Sequence, residues 1–138
     1  AAAGWSTSVD PQTAAGLSAV GADTFLEWVR GVDLLLPNDT ELAALGGPAA
    51  ALAVVRAVAV THGRQGATWF AGTEQRRAVV ERVDDTDSTG AGDAFNAGFL
   101  AAWLHGAEPG AALAAGVRAG TRVAGAAGAR PVLDGPAG

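Results

Sequence analysis

The sequence predicts an α/β fold built on a mainly parallel sheet. Two observations carry that expectation. Short β-like apolar runs alternate with longer helical patterns, as in chains of βαβ units. Glycine and proline stops separate these runs at nearly every junction. Length and composition agree: 138 residues, 49% of them hydrophobic, suffice to bury one core.

The elements follow in order. Residues 6–10 read as a short strand, stopped by Pro11. Residues 22–30 read as a helix with Phe25, Trp28 and Val29 on one face. Residues 32–36 form a buried strand ended by Pro37, and 39–45 a short helix closed by Gly46, Gly47 and Pro48. A helix over 49–56 leads into a strand over 57–61 and a turn over 62–66. Strands at 67–71 and 77–83 flank a turn at Gly72, Thr73 and Glu74, giving an antiparallel hairpin. A helix over about 91–105 sets Phe95, Phe99 and Trp103 at i, i+4 and i+8, an apolar stripe typical of core. The last helix spans 109–127, where Gly116 and Gly120 stand four apart and allow another backbone to come close, before a frayed tail at 136–138. His105 sits where it can cap the end of its helix.

Composition excludes several classes of function. Nine Arg, no Lys and fourteen acids leave a net charge of −5, without the basic surface of a nucleic-acid binder. Absence of Cys rules out disulfides and thiol chemistry in this segment. Two His, at 62 and 105, make no His-rich metal site. No apolar run approaches eighteen residues and no signal-peptide pattern is present, so a cytoplasmic protein without membrane contact is expected. The chain contains no Met and opens on Ala1 in material resembling the end of a helix. It is therefore expected to be cut from the middle of a larger α/β protein.

The segment from Asp87 to Asn96, DSTGAGDAFN, carries the most chemistry. Its glycines sit where a loop becomes a helix, so the amides of Ala91, Gly92 and Asp93 lie at the positive end of that helix and suit an anion. A carboxylate at Asp93 would repel that anion unless it accepts a proton from an attacking hydroxyl. The same residue could also simply complement the helix dipole. No P-loop is present, since there is no Lys, and the third glycine of a dinucleotide fingerprint is replaced by Phe95.

This stretch resembles the C-terminal signature of the ribokinase-like (PfkB) family of sugar and nucleoside kinases, close to D-T-T-G-A-G-D-x-F, with Ser88 as a mild departure. Asn38 to Glu41 is similar to the family's N-x-x-E motif. Thr61 to Gly66 is similar to its nucleotide-side strand and G-x-x-G turn, and Gly128 to Pro131 to a segment near its C-terminus. The motifs stand in family order. The resemblance implies a three-layer αβα sandwich, present here as the C-terminal portion only. Residues 1–138 would then be the nucleotide-binding part of one sugar kinase domain, its N-terminal half absent.

The resemblance also implies roles. Asp93 would be the catalytic base, and Gly90, Ala91, Gly92 and Asp93 the anion hole. Thr61 and Gly63 would line ATP, Gly66 would make the turn, and Asn96 would lie near the nucleotide. Asn38 and Glu41 would hold Mg²⁺ and its waters, while Asp87 and Thr89 would belong to a loop for a monovalent cation such as K⁺. The local readings stay beside these. Asn38 and Glu41 also form a capping box, the Gly63–Gly66 segment also ends a strand, Asp87 and Thr89 also make an ordinary turn, Asn96 could face only a neighbouring helix, and His62, which by position could touch the adenine, reads first as a turn-surface residue. The implied activity is ATP-dependent phosphoryl transfer to a hydroxyl of a small sugar or sugar acid, with a homodimer possible for the full-length protein. The chain alone is expected to be inactive. The alternative is a non-catalytic nucleotide-binding or regulatory remnant. The opening helix and strand, with Asp10 and Pro11, look most like the bacterial sugar-kinase branch, ketodeoxygluconate- or fructose-type enzymes among them.

Overall fold

The apolar runs at 34–35, 57–61 and 67–71 become strands and the alanine-rich runs at 91–104 and 109–124 become helices in the computed structural model, which describes residues 7–11, 14–79 and 91–124. The chain divides into two compact units, one of residues 1–62 with 67–77, the other of 63–66 with 78–138.

The first unit is a sheet with helices. Its elements are β1 (Ser8–Val9), α1 (Ala14–Val20), α2 (Ala22–Trp28), β2 (Leu34–Leu35), α3 (Asp39–Ala44), α4 (Pro48–Leu52), β3 (Ala57–Thr61), β4 (Ala67–Ala71) and β5 (Glu74–Ala78). The strand order is β1-β2-β3-β4-β5. The first three strands run parallel, with Leu34 opposite both Ser8 and Ala57, and β4 then runs antiparallel to β3, with Val60 opposite Thr68. Strand β3 is buried on both faces, as an interior strand of a parallel sheet requires. On one face Leu35, Val58 and Val60 meet Leu17 of α1, Leu42 of α3 and Ala51 of α4 in a continuous core. Each large side chain buried there contributes about 1.5–3 kcal/mol.

Several boundaries differ from the sequence expectation. Helix α1 was not anticipated: Leu17 is its only fully buried side chain among those described, so it shows no apolar period. The strands expected at 6–10 and 32–36 are two paired residues each. Helix α4 starts one residue earlier than expected, because Pro48 suits the first helical turn, and ends at Leu52 rather than at residue 56. Strand β5 starts at Glu74, three residues before the expected position, because the turn needs only Gly72 and Thr73. Its residues Glu74 to Arg77 are exposed and polar, which hides it from an apolar search. Charged side chains on such an edge also discourage pairing with another sheet. Residues 80–83 of the expected strand lie outside the described residues.

The second unit contains α5 (Ala91–Leu104) and α6 (Pro109–Ala124), a packed helix pair. The expected stripe is realised: Phe95 and Phe99 are buried with ring centroids 5.9 Å apart, and Phe99 and Trp103 are 6.3 Å apart. Close approach depends on glycine. A Cβ on Gly116 would stand 2.6 Å from the Phe95 ring, and one on Gly98 would stand 2.9 Å from the Ala115 carbonyl oxygen. His105 Nδ1 donates to the Ala101 carbonyl at 2.7 Å, the helix-end cap that its position suggested. At the next helix, the Glu108 carboxylate accepts from the Gly110 and Ala111 amides while Pro109 fills the first position. The tail and residues 125–127 lie outside the described residues. Among the described residues no helix is long and apolar enough to cross a membrane.

One polar clasp fastens β1 to the start of β2. The Thr7 amide donates to Asp33 Oδ2 at 3.0 Å, the Asp33 amide donates to Thr7 Oγ1 at 3.0 Å, and Arg56 Nη1 reaches Asp33 Oδ1 at 3.4 Å. The Thr7 amide above all, helped by Arg56, holds the buried Asp33 carboxyl below the usual carboxylate range. The unfolded chain therefore binds this proton at a higher pH than the folded one. The stabilisation is complete above the ordinary carboxylate pKa of about 4 and is lost as pH falls through the lower folded value. Urea midpoints measured between pH 7 and pH 3 should fall for the unsubstituted chain and fall less steeply for Asp33→Asn, which starts from a lower stability at pH 7.

Candidate active site

The carboxyl ends of β2 and β3 bring two of the sequence motifs together, the end of a parallel sheet where ligands commonly bind. After β2 the chain passes through Leu36 and Pro37 to Asn38, which pairs with Thr61 at the end of β3 in an isolated parallel bridge. The Thr61 amide donates to the Pro37 carbonyl at 3.0 Å. Asn38 and Glu41 close a complete capping box on α3: Asn38 Oδ1 accepts from the Glu41 amide at 2.8 Å, and Glu41 Oε1 accepts from the Asn38 amide at 2.9 Å. Both readings of this motif are thus compatible. The cap uses one Glu41 oxygen; Oε2 has no hydrogen-bond partner among the described residues, although Glu41 is only 4% exposed. A carboxylate oxygen that the cap leaves over, beside an amide oxygen, is a donor set that suits a hard, hydrated cation such as Mg²⁺. Among the described residues no group of three or more His, Asp or Glu is placed to hold a metal outright. Two oxygen-bearing side chains suit an ion that keeps most of its waters, as Mg²⁺ does.

His62 follows directly and departs from the surface role expected of it. Its ring is half-buried, with Nδ1 2.6 Å from Asp39 Oδ1 and Nε2 2.8 Å from Thr68 Oγ1. Its partners lie 23 and 6 residues away, so only the folded sheet reveals the contact. Asp39 and Thr68 were not singled out by the sequence pattern either.

In the second unit, Gly63 to Gln65 form one 3₁₀ turn ending at Gly66. Gly66 has φ +99°, and a Cβ there would overlap the Ala78 carbonyl oxygen. This is the turn requirement expected of Gly66. Ala91, Gly92 and Asp93 form the first turn of α5, where helix geometry leaves the amides without acceptors inside the helix. Asp93 is exposed, and Asn96 follows three residues later and half-buried. Nothing among the described residues lies within 4 Å of a Cβ built on Gly92, and its φ is not left-handed. Neither packing nor backbone conformation within the described chain asks for glycine there. Asp87, Thr89 and Gly90 lie outside the described residues, as does the 128–131 segment.

Comparison with known proteins places this arrangement in a class. The pfkB family of carbohydrate kinases matches residues 8–134, and the chain belongs to that family. An ATP-dependent ribose-1-phosphate kinase from Halopiger xanaduensis is 37% identical over 138 residues, covering 96% of this chain and 45% of the relative. Among solved structures, adenosine kinase from Sinorhizobium meliloti superposes with TM-score 0.84 at 28% identity, covering 94% of this chain and 42% of that one. A structure from E. coli assigned as ribokinase II, in complex with ATP and Mg²⁺, superposes with TM-score 0.77 at 26% identity, covering 91% and 44%. The fold is thus ribokinase-like, and the chain spans less than half the length of these relatives. They include kinases named for a sugar phosphate and for a nucleoside, so the likeness to one bacterial sugar-kinase branch does not single out an acceptor.

Gly66→Ala should destabilise the chain by several kcal/mol (about 2–4), since it combines left-handed backbone with overlap against a carbonyl. Chemical denaturation of the variant checks this; a loss below about 0.5 kcal/mol would mean that the turn relaxes freely.

Proposed function

We propose that this chain is the nucleotide-side half of a kinase that transfers the γ-phosphoryl group of ATP to a hydroxyl of a small sugar, sugar acid or nucleoside. The carrying observation is Asp93 in the first turn of α5, beside amides that have no acceptor within the helix, in a chain that belongs to the pfkB family. The names of its relatives support ATP as donor.

In this reading the acceptor hydroxyl approaches the γ-phosphorus in line. The Asp93 carboxylate accepts the hydroxyl proton as the new O–P bond forms and the bond to the ADP oxygen breaks. The amides of Gly90 to Asp93 donate to the transferred group as its charge spreads. Gly92 leaves room for that group to reach the backbone, which gives its glycine a reason that packing does not. Asn38 and Glu41 would hold a magnesium ion and its waters, and the ion would supply neutralisation of phosphate charge. Thr61, Gly63 and Gly66 shape the nucleotide side with Asn96, and Asp87 and Thr89 are assigned to a monovalent-cation loop. The site would work in the cytoplasm, with acceptor selectivity supplied by parts of the longer protein, which is proposed to dimerise.

The test is Asp93→Asn in the full-length parent. Turnover should fall about 10²- to 10⁴-fold while ATP affinity is retained. Unchanged turnover would remove Asp93 as the base, and a parent without turnover that still binds ATP would favour a regulatory nucleotide binder. In the same ATP-consumption assay the present chain alone should show no turnover with any sugar.

A further inference from the structure

We propose that His62 is a positioning residue, which holds the Asn38–Glu41 turn in the geometry that its magnesium role needs. The proposal rests on the reading of Asn38 and Glu41 given above. It starts from the hydrogen-bonded chain Asp39–His62–Thr68, with contacts of 2.6 and 2.8 Å.

The chemistry of the partners sets the proton positions. An ionised Asp39 can only accept, so His62 carries a hydrogen on Nδ1. In the neutral ring Nε2 then accepts from the Thr68 hydroxyl. If the ring gains a proton, the hydroxyl rotates and accepts instead, so the connection survives either state. Although Asp, His and Thr in this order mimic a nucleophilic relay, Thr68 is only 2% exposed and cannot meet a substrate. The chain of contacts is mechanical.

Its two ends explain what it holds. Thr68 is fixed in the sheet, paired with Val60 at the centre of the β3–β4 ladder. Asp39 is the first residue of α3, between the two members of the capping box. Helix α3 has six residues, too few for its own hydrogen bonds to fix its direction. The bridge of Asn38 to Thr61 restrains one side of the turn, and the imidazole restrains the other. Asp39 is 60% exposed, so its pairing with His62 adds little stability; what it adds is direction. Groups that orient ion-holding residues in this way typically change ion affinity tenfold or more when lost.

The experiment compares the unsubstituted chain with His62→Ala, Asp39→Ala and His62→Gln. Asp39→Ala cuts the same connection at an exposed position, so a folding failure of His62→Ala would not decide the matter. Gln can donate to Asp39 and accept from Thr68, and serves as the rescue. Two quantities are read: hydrogen exchange at the Asn38 and Glu41 amides, and the Mg²⁺ concentration that half-saturates the magnesium-dependent part of ATP binding. Both Ala variants should speed exchange at these two amides and raise the Mg²⁺ requirement, each by about tenfold. ATP binding without Mg²⁺ should not change, and His62→Gln should recover most of the loss. Unchanged exchange in both Ala variants overturns the clamp. Faster exchange with an unchanged Mg²⁺ requirement overturns its role toward the ion. Absence of any Mg²⁺ response in the unsubstituted chain overturns the reading of Asn38 and Glu41 and the ion role with it; the exchange result still reports separately on the clamp.

Discussion

A single backbone hydrogen bond, from the Thr61 amide to the Pro37 carbonyl, organises the first unit's site. It carries the parallel pairing of β2 and β3 past the ends of the strands and locks Asn38 beside Thr61. Parallel strands end with their carboxyl ends at the same edge, so two motifs more than twenty residues apart become neighbours. The capping box then directs Glu41, and His62 ties the following turn back to β4. Polar groups cluster at this edge, whereas the interior of the unit is almost wholly aliphatic.

The second unit obeys a different constraint, close contact between backbones. Gly98, Gly116 and Gly120 remove the side chains that would keep α5 and α6 apart, and Phe95 and Phe99 fill the seam. This fastens the helix whose first turn carries Ala91, Gly92 and Asp93. For the role proposed for Asp93 rigid support would matter, because a proton acceptor acts only when held within hydrogen-bonding distance of its donor. Gly92 contrasts with the seam glycines, having no neighbour that excludes a side chain.

Much of this was legible in the residues. The alternation of strands and helices from residue 22 onward, the capping box, the aromatic stripe, the close approach at Gly116 and the turn at Gly66 follow from local patterns and match the structure. What stayed hidden depends on partners distant in sequence or on weak apolar signals. Helix α1 buries too little to show a period, and β5 is polar because it lies at a sheet edge. His62 looked like a turn residue because neither Asp39 nor Thr68 is near it in the sequence. The role proposed for Asp93 leans on family resemblance, since a carboxylate in a helix's first turn has an ordinary electrostatic reason to be there.

The central claim is that the first turn of α5 receives the phosphates of ATP. Amide resonances recorded while Mg²⁺–ATP is added to the chain test it most directly. The account predicts large shifts at Ala91, Gly92 and Asp93, with smaller ones at Thr61 and Gly63, and little change at the buried Ala112 and Leu113. Saturable ATP binding that leaves the Ala91–Asp93 amides unmoved would contradict it.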